Sequence, residues 1–142
     1  MDRIELLKHI PLFESLEEED LNVLASKLRE SSVESGATIF SQGDEGDAMY
    51  VIEDGAVDVV AGSGKQKVIL ASLFKRQFFG ELSLLDRGPR SATVVADTDM
   101  TLVVLGQREF LGVIDEVPAM AHKLLAALAG RLREADSRAL SH

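Results

Sequence analysis

The chain has 142 residues and carries 15 Lys+Arg against 24 Asp+Glu, a formal net charge of −9 that repels nucleic acid and anionic membrane surfaces. Its 46% apolar content excludes a disordered chain and suits one core, and the absence of cysteine removes disulfides, thiolate-bound metals and thiol catalysis. No apolar run reaches the length of a signal peptide core or a membrane span, so a cytoplasmic protein with neither a nucleic-acid nor a membrane partner is expected.

Asp2 to Ile10 has apolar residues at helical spacing, and Pro11 breaks the pattern. Ser15-Leu16-Glu17-Glu18 reads as a capping box, with Leu21, Leu24, Ala25 and Leu28 on one face, which predicts a second helix over Glu17–Glu30. The acidic run Glu17 to Asp20 complements the helix dipole and implies no metal. From Val33 to Leu105 short β-prone runs alternate with breaks at Ser35-Gly36, Gly43 to Gly46, Asp54-Gly55, Gly62-Ser63-Gly64 and Asp97 to Asp99. Strands are predicted at Thr38–Ser41, Met49–Glu53, Ala56–Ala61, Lys67–Leu73, Ser91–Ala96 and Thr101–Leu105, with Asp54-Gly55 as a tight hairpin turn. This spacing suits a small barrel or roll, interrupted by one helical turn at Glu81 to Leu85. A short helix follows at Gln107–Asp115. A long one runs from Pro118 toward Arg138, with Met120, Leu124, Leu128 and Leu132 along an apolar stripe beside Ala121 and Leu125. The terminal Ala-Leu-Ser-His is expected to fray.

The chemistry concentrates in Phe79-Gly80-Glu81-Leu82-Ser83-Leu84-Leu85-Asp86-Arg87-Gly88-Pro89-Arg90-Ser91-Ala92-Thr93-Val94. A glycine entering a one-turn helix lets unpaired amides approach an anion, and the helix start adds partial positive charge. Gly88-Pro89 turns the chain so that Arg90 opens the next strand and presents a guanidinium fork to phosphate oxygens. One Arg with two or three amides, at roughly 1.5–3 kcal/mol per charge-assisted bond, approaches the ~8 kcal/mol of micromolar affinity. Glu81 is a pure acceptor and would repel a bare anion, so it asks for a ligand that pairs its phosphate with a free sugar hydroxyl. Glu81 and Arg90 together describe a ribose phosphate.

This segment resembles the phosphate-binding cassette of the cyclic nucleotide-binding domain family, which includes protein kinase A regulatory subunits, catabolite-activator transcription factors and the tails of nucleotide-gated channels. The similarity extends to Ile10-Pro11-Leu12-Phe13, Gly36, Gln42-Gly43-Asp44, Tyr50-Val51-Ile52, Gly55 and the closing helices. The resemblance implies a mainly β fold, an eight-stranded β-roll of double-stranded β-helix type with flanking helices. It implies a single domain over 1–142, with N-terminal helices at 1–32, the roll at 33–106, the cassette at 79–94 and closing helices at 107–142. It further implies that Gly80 and Glu81 meet the ribose and Arg90 pairs with the cyclic phosphate. The Ser91 hydroxyl and Ala92 amide complete the cradle, and Leu82 and Ser83 contribute backbone. Cyclic AMP is the implied ligand, and a hydroxyl at Ser91 also permits cyclic GMP. The catabolite activators read adenine with a hydroxyl on the long helix, where this chain has Ala135 and Asp136.

The expected function is a regulatory sensor, not an enzyme, in which binding moves the C-terminal helices, with Gly112 and Glu116-Val117-Pro118 as hinges. Arg131 and Arg133 are candidates to cap the ligand. The output is expected to act in trans if the 142 residues stand alone; otherwise they are one part of a larger protein. The alternative is a ligand-free structural or dimerisation module that uses the long helix to form a homodimer or to hold another protein. A metal-dependent barrel enzyme is disfavoured because His9, His122 and His142 all lie outside the β region, and no cofactor or metal is expected. No nucleophile is paired with a base.

Overall fold

A computed structural model describes residues 2–62 and 64–140. The middle of the expected Gly62-Ser63-Gly64 break, the expected fraying at Ser141-His142 and the position of His142 itself lie outside the described residues. The chain divides into two compact units, a helical one of residues 1–27 with 111–142 and a β unit of residues 28–110.

In the helical unit α1 (Arg3–Lys8) starts at Asp2, whose carboxylate accepts from the Ile4 amide at 3.0 Å. A 3-10 turn, Pro11–Phe13, follows, and then α2 (Glu18–Ala25). The capping box expected at Ser15 and Glu18 sits two residues later. Glu17 is the N-cap, and its amide donates to the Asp20 carboxylate at 3.1 Å. The shift follows from Leu16, which is buried and therefore kept out of the exposed first turn. Leu6, Leu7, Leu12, Phe13, Leu21 and Leu24 are buried here with Met120 and Leu124 of α4 (Ala119–Leu140). Lys123 of α4 donates to Asp20 at 2.8 Å. The expected stripe on α4 is buried only in part: Leu125 and Leu132 are 65% and 66% exposed.

The β unit has, among the described residues, eight strands: β1 (Arg29–Val33), β2 (Thr38–Phe40), β3 (Ala48–Asp54), β4 (Val57–Ala61), β5 (Val68–Leu73), β6 (Phe78–Phe79), β7 (Thr93–Ala96) and β8 (Met100–Gly106). They form two four-stranded antiparallel sheets in the orders β1-β8-β3-β6 and β2-β7-β4-β5. This is the expected β-roll with flanking helices, and α3 (Gln107–Glu116) continues directly from β8. Alternate residues face inward, as a period of two requires. Met100, Leu102 and Val104 of β8 pack with Ile52, Val57, Phe79 and Val94 in one core.

Three expectations are corrected. The second helix stops at Ala25 rather than Glu30, because Arg29–Val33 pairs with β8 over the full register from Arg29↔Val104 to Val33↔Met100. Asp54-Gly55 is not a hairpin turn. β3 and β4 lie in different sheets, and the turn carries the chain across the core from one to the other. Arg90 does not open a strand. β7 starts at Thr93, and Arg90 is held in a short pairing with the loop at 43–46, its amide donating to the Asp44 carbonyl at 2.7 Å and its carbonyl accepting from Gly43 at 2.9 Å.

Candidate functional site

A cavity of about 430 Å³ opens in the β unit, within the size range of roughly 300–1,000 Å³ usual for small-ligand pockets. Its polar rim is the segment singled out in the sequence: Gly80, Glu81, Leu82, Ser83, Arg90 and Ser91 all line it, as does Ala92. The turn Glu81–Leu84 is a 3-10 helix entered through Gly80 at φ 78°, and the Ser83 amide donates back to the Gly80 carbonyl at 3.1 Å. The left-handed backbone suits glycine. Space demands it as well, because a Cβ on Gly80 would lie 2.6 Å from Arg90 Nη1 and 3.1 Å from the Ala48 carbonyl oxygen. The amides at the start of this turn have no carbonyl a turn earlier to bond.

Arg90 is buried, with its side chain 5% exposed. Nη1 donates to Ser83 Oγ at 2.7 Å and Nη2 to the Ala48 carbonyl at 2.9 Å, whereas Nε has no acceptor. The Asp47 carboxylate lies 3.8 Å from Nη2 and is 71% exposed, so water screens the pair. The guanidinium carbon lies 4.1 Å from the centre of the Phe40 ring and 5.8 Å from that of Tyr50. Burial pushes the Tyr50 phenol above its usual range, against a smaller lowering by the Arg90 charge. Ser83 is itself buried and fixed by close backbone approach: a Cβ on Gly46 would lie 2.1 Å from its hydroxyl oxygen. Ser83, from which only backbone was expected, thus holds Arg90 through its side chain.

The apolar part of the wall comes from Phe79 on β6 and Val94 on β7, the two ends of the 79–94 segment, and from two residues outside it, Phe40 on β2 and Val59 on β4. Asp86 adds a second carboxylate beside Glu81. Phe40 and Val59 come from strands outside that segment, and only the inward phase of each strand hints at them. On the other side of the cassette, Arg87 Nε donates to the side-chain oxygen of Gln107, and Arg87 Nη1 lies 3.6 Å from Glu45. Gln107 is buried, opens α3, and donates its amide to the Asp47 carbonyl at 2.8 Å. Among the described residues no cluster of His, Asp or Glu is arranged to hold a metal ion, and no helix is long and apolar enough to cross a membrane.

A family model described as the cyclic nucleotide-binding domain matches residues 30–117. The Cyclic AMP receptor protein of Thermus thermophilus is 41% identical over 131 residues, covering 92% of this chain and 61% of that protein. A cAMP-dependent protein kinase regulatory subunit of Dictyostelium discoideum is 36% identical over 114 residues, covering 80% of this chain and 35% of that protein. The crystal structure of the N-terminal domain of a transcriptional regulator from Streptomyces coelicolor A3(2) superposes with a TM-score of 0.86 at 35% identity, covering 93% of this chain and 95% of that one. This chain thus spans less than two thirds of the length of these two curated relatives. It belongs to the cyclic nucleotide-binding domain family.

Proposed function

We propose that this member of the cyclic nucleotide-binding domain family is a cytoplasmic sensor of a cyclic purine mononucleotide, cyclic AMP foremost with cyclic GMP also accepted, and that it has no catalytic activity. Arg90 receives the cyclic phosphate, with the Gly80–Ser83 turn, Ser91 and Ala92 around it. Glu81 accepts from the ribose hydroxyl, and the apolar wall of Val59, Phe79 and Val94 covers the uncharged parts of the ligand. The observation that carries this reading is the buried guanidinium whose Nε lacks an acceptor in a cavity of ligand size. A buried charged donor left without a partner costs free energy that an anionic ligand removes.

Binding becomes a signal only if two conformations differ in affinity for the ligand. The link from Arg87 in the cassette to Gln107 at the start of α3 supports a route by which the cassette biases the closing helices. Isothermal calorimetry with both cyclic nucleotides tests the proposal. Saturable binding of cyclic AMP at micromolar concentration is expected, and no heat from either nucleotide at millimolar concentration overturns it. A second reading, association through α4 with another copy or an unidentified protein, is favoured by exposed Leu125 and Leu132, seven residues apart on one helix. Sedimentation with and without nucleotide separates the two, since a scaffold associates regardless of ligand.

A further inference from the structure

We infer that Phe40 is a positioning residue for Arg90, an aromatic counter-face that holds the guanidinium in the cavity without occupying its donors. The inference rests on the cyclic-nucleotide reading for what the held fork is used for, and on the structure for the holding itself. A guanidinium as enclosed as that of Arg90 needs compensation for lost hydration. An adjacent carboxylate would supply it, but a carboxylate accepts two in-plane N–H groups and so competes with any anionic ligand. The Asp47 carboxylate approaches Nη2 at 3.8 Å and, being 71% exposed, is screened by water. Neutral acceptors take one bond each at Nη1 and Nη2. Two aromatic rings also lie against the charge, Tyr50 with its centre 5.8 Å from the guanidinium carbon and Phe40 in the closer contact at 4.1 Å.

An aromatic face attracts the cation through its quadrupole and meets the flat side of the guanidinium, while all five N–H groups lie in the guanidinium plane. A contact with the ring face therefore stabilises the charge without taking a donor, and leaves Nε and the terminal N–H groups beyond those given to Ser83 and Ala48 for phosphate oxygens. The ring is braced: Phe40 sits 5.8 Å from both Tyr50 and Phe79, which stack on each other at 5.1 Å with planes 12° apart. Tyr50 and Phe79 are themselves directly paired across β3 and β6, and Phe40 is paired with Val94 of β7. Two sheets thus converge on one cation. Leucine at position 40 keeps an apolar contact and loses the π face. Tyrosine keeps both.

The test has two arms. In the ligand-free wild-type protein, proton NMR of the Arg90 side chain should show Hε and Hη resonances moved by the Phe40 ring current. The shift should vanish in Phe40→Leu and persist in Phe40→Tyr. In the binding arm, Phe40→Leu should weaken cyclic AMP by roughly 3- to 30-fold and Phe40→Tyr by less than about twofold. In the Arg90→Ala background Phe40→Leu should cost nothing further. An unshifted Arg90 resonance in the wild type overturns the inference whether or not any variant folds. A loss that is undiminished in the Arg90→Ala background also overturns it. If the wild type binds no cyclic nucleotide, the functional reading fails, while the NMR arm still decides whether Phe40 holds Arg90.

Discussion

Removing the guanidinium of Arg90 is the perturbation whose effect is best defined by the structure. In Arg90→Ala the fork loses Nε, which has no acceptor in the protein, together with terminal N–H groups beyond those given to Ser83 and Ala48. Two charge-assisted bonds to a phosphate, at roughly 1.5–3 kcal/mol each, give a loss of about 3–6 kcal/mol, or about 10²- to 10⁴-fold in affinity. Stability should move little. The substitution deletes a buried charge along with its two neutral acceptors' bonds, and strands no buried carboxylate, since Asp47 is 71% exposed. A change within about 1 kcal/mol, a few degrees in Tm, is expected. Arg90→Lys keeps the charge but not the planar fork and should fall between the two. Calorimetry with cyclic AMP, beside differential scanning of the same samples, separates binding from folding. If Arg90→Ala bound within about threefold of wild type at unchanged Tm, the guanidinium would not be the anion site, and the reasoning from its unpartnered Nε would be refuted.

Glu81→Ala should bind cyclic AMP about 10- to 100-fold more weakly. It should also erase the wild type's preference over the 2′-deoxy analogue; a preference retained in the variant places the ribose elsewhere. Gly80→Ala sets a Cβ 2.6 Å from Arg90 Nη1 on a backbone at φ 78°, so it should lower stability by roughly 1–3 kcal/mol in thermal melting and weaken binding as well. An unaltered melting curve would show that the turn relaxes freely. Lys123, hydrogen-bonded to Asp20, holds that carboxyl below its ordinary value of 3.8, and Asp20 in turn raises the ammonium above 10.5. The carboxylate's contribution to stability is therefore present above the ordinary carboxylate pKa and lost as pH falls through the lower folded value, whereas the ammonium's is present below 10.5 and lost as pH rises through the higher one. Asp20→Asn should flatten the acid limb of the helical unit's melting temperature against pH, and an identical acid limb in the variant counts against the pair. The edge strand β5 exposes Val68, Ile69 and Leu70 at 56–60%, with Lys65, Lys67, Lys75 and Arg76 exposed on either side. Changing these four cations to Gln should increase concentration-dependent association by light scattering, since charge guards an exposed edge; unchanged scattering means that the edge needs no guard.

The parts of the fold legible in the sequence are those whose signal is local. Gly80 before Glu81 marks a turn that needs only its own neighbours to form, Gly88-Pro89 marks the bend before Arg90, and all of these residues line one cavity. β1 was invisible for the opposite reason. Arg29-Glu30-Ser31-Ser32-Val33 has no apolar alternation and is a strand only because its backbone bonds β8, some seventy residues away in the chain. β6 is two residues long, too short for any period. The turn at Asp54-Gly55 has hairpin composition, but whether its flanking strands pair or part is decided by β8 and β7, which each strand prefers as a partner. Phe40 could be read as a β2 core residue, yet its contact with a cation fifty positions later depends on how β2 meets β7 and how the 43–46 loop clamps Arg90.

The charge of the site explains how so acidic a chain could favour a cyclic phosphate over other phosphates. Two carboxylates, Glu81 and Asp86, line the cavity with a single guanidinium. A phosphomonoester carries about −1.5 to −2 charges at neutral pH, and the second charge would meet Glu81 and Asp86 with no further cation among the described residues that line the cavity. A cyclic phosphodiester carries one charge, matched by Arg90 alone, and brings in addition the ribose hydroxyl that Glu81 can accept from. The net charge of −9 acts in the same direction, since at physiological salt it is screened beyond about 8 Å but opposes every added negative charge at shorter range. A neutral aromatic face in place of a carboxylate beside Arg90 completes the balance. The site then offers one guanidinium, with its Nε still unpartnered, to one negative group of matching shape.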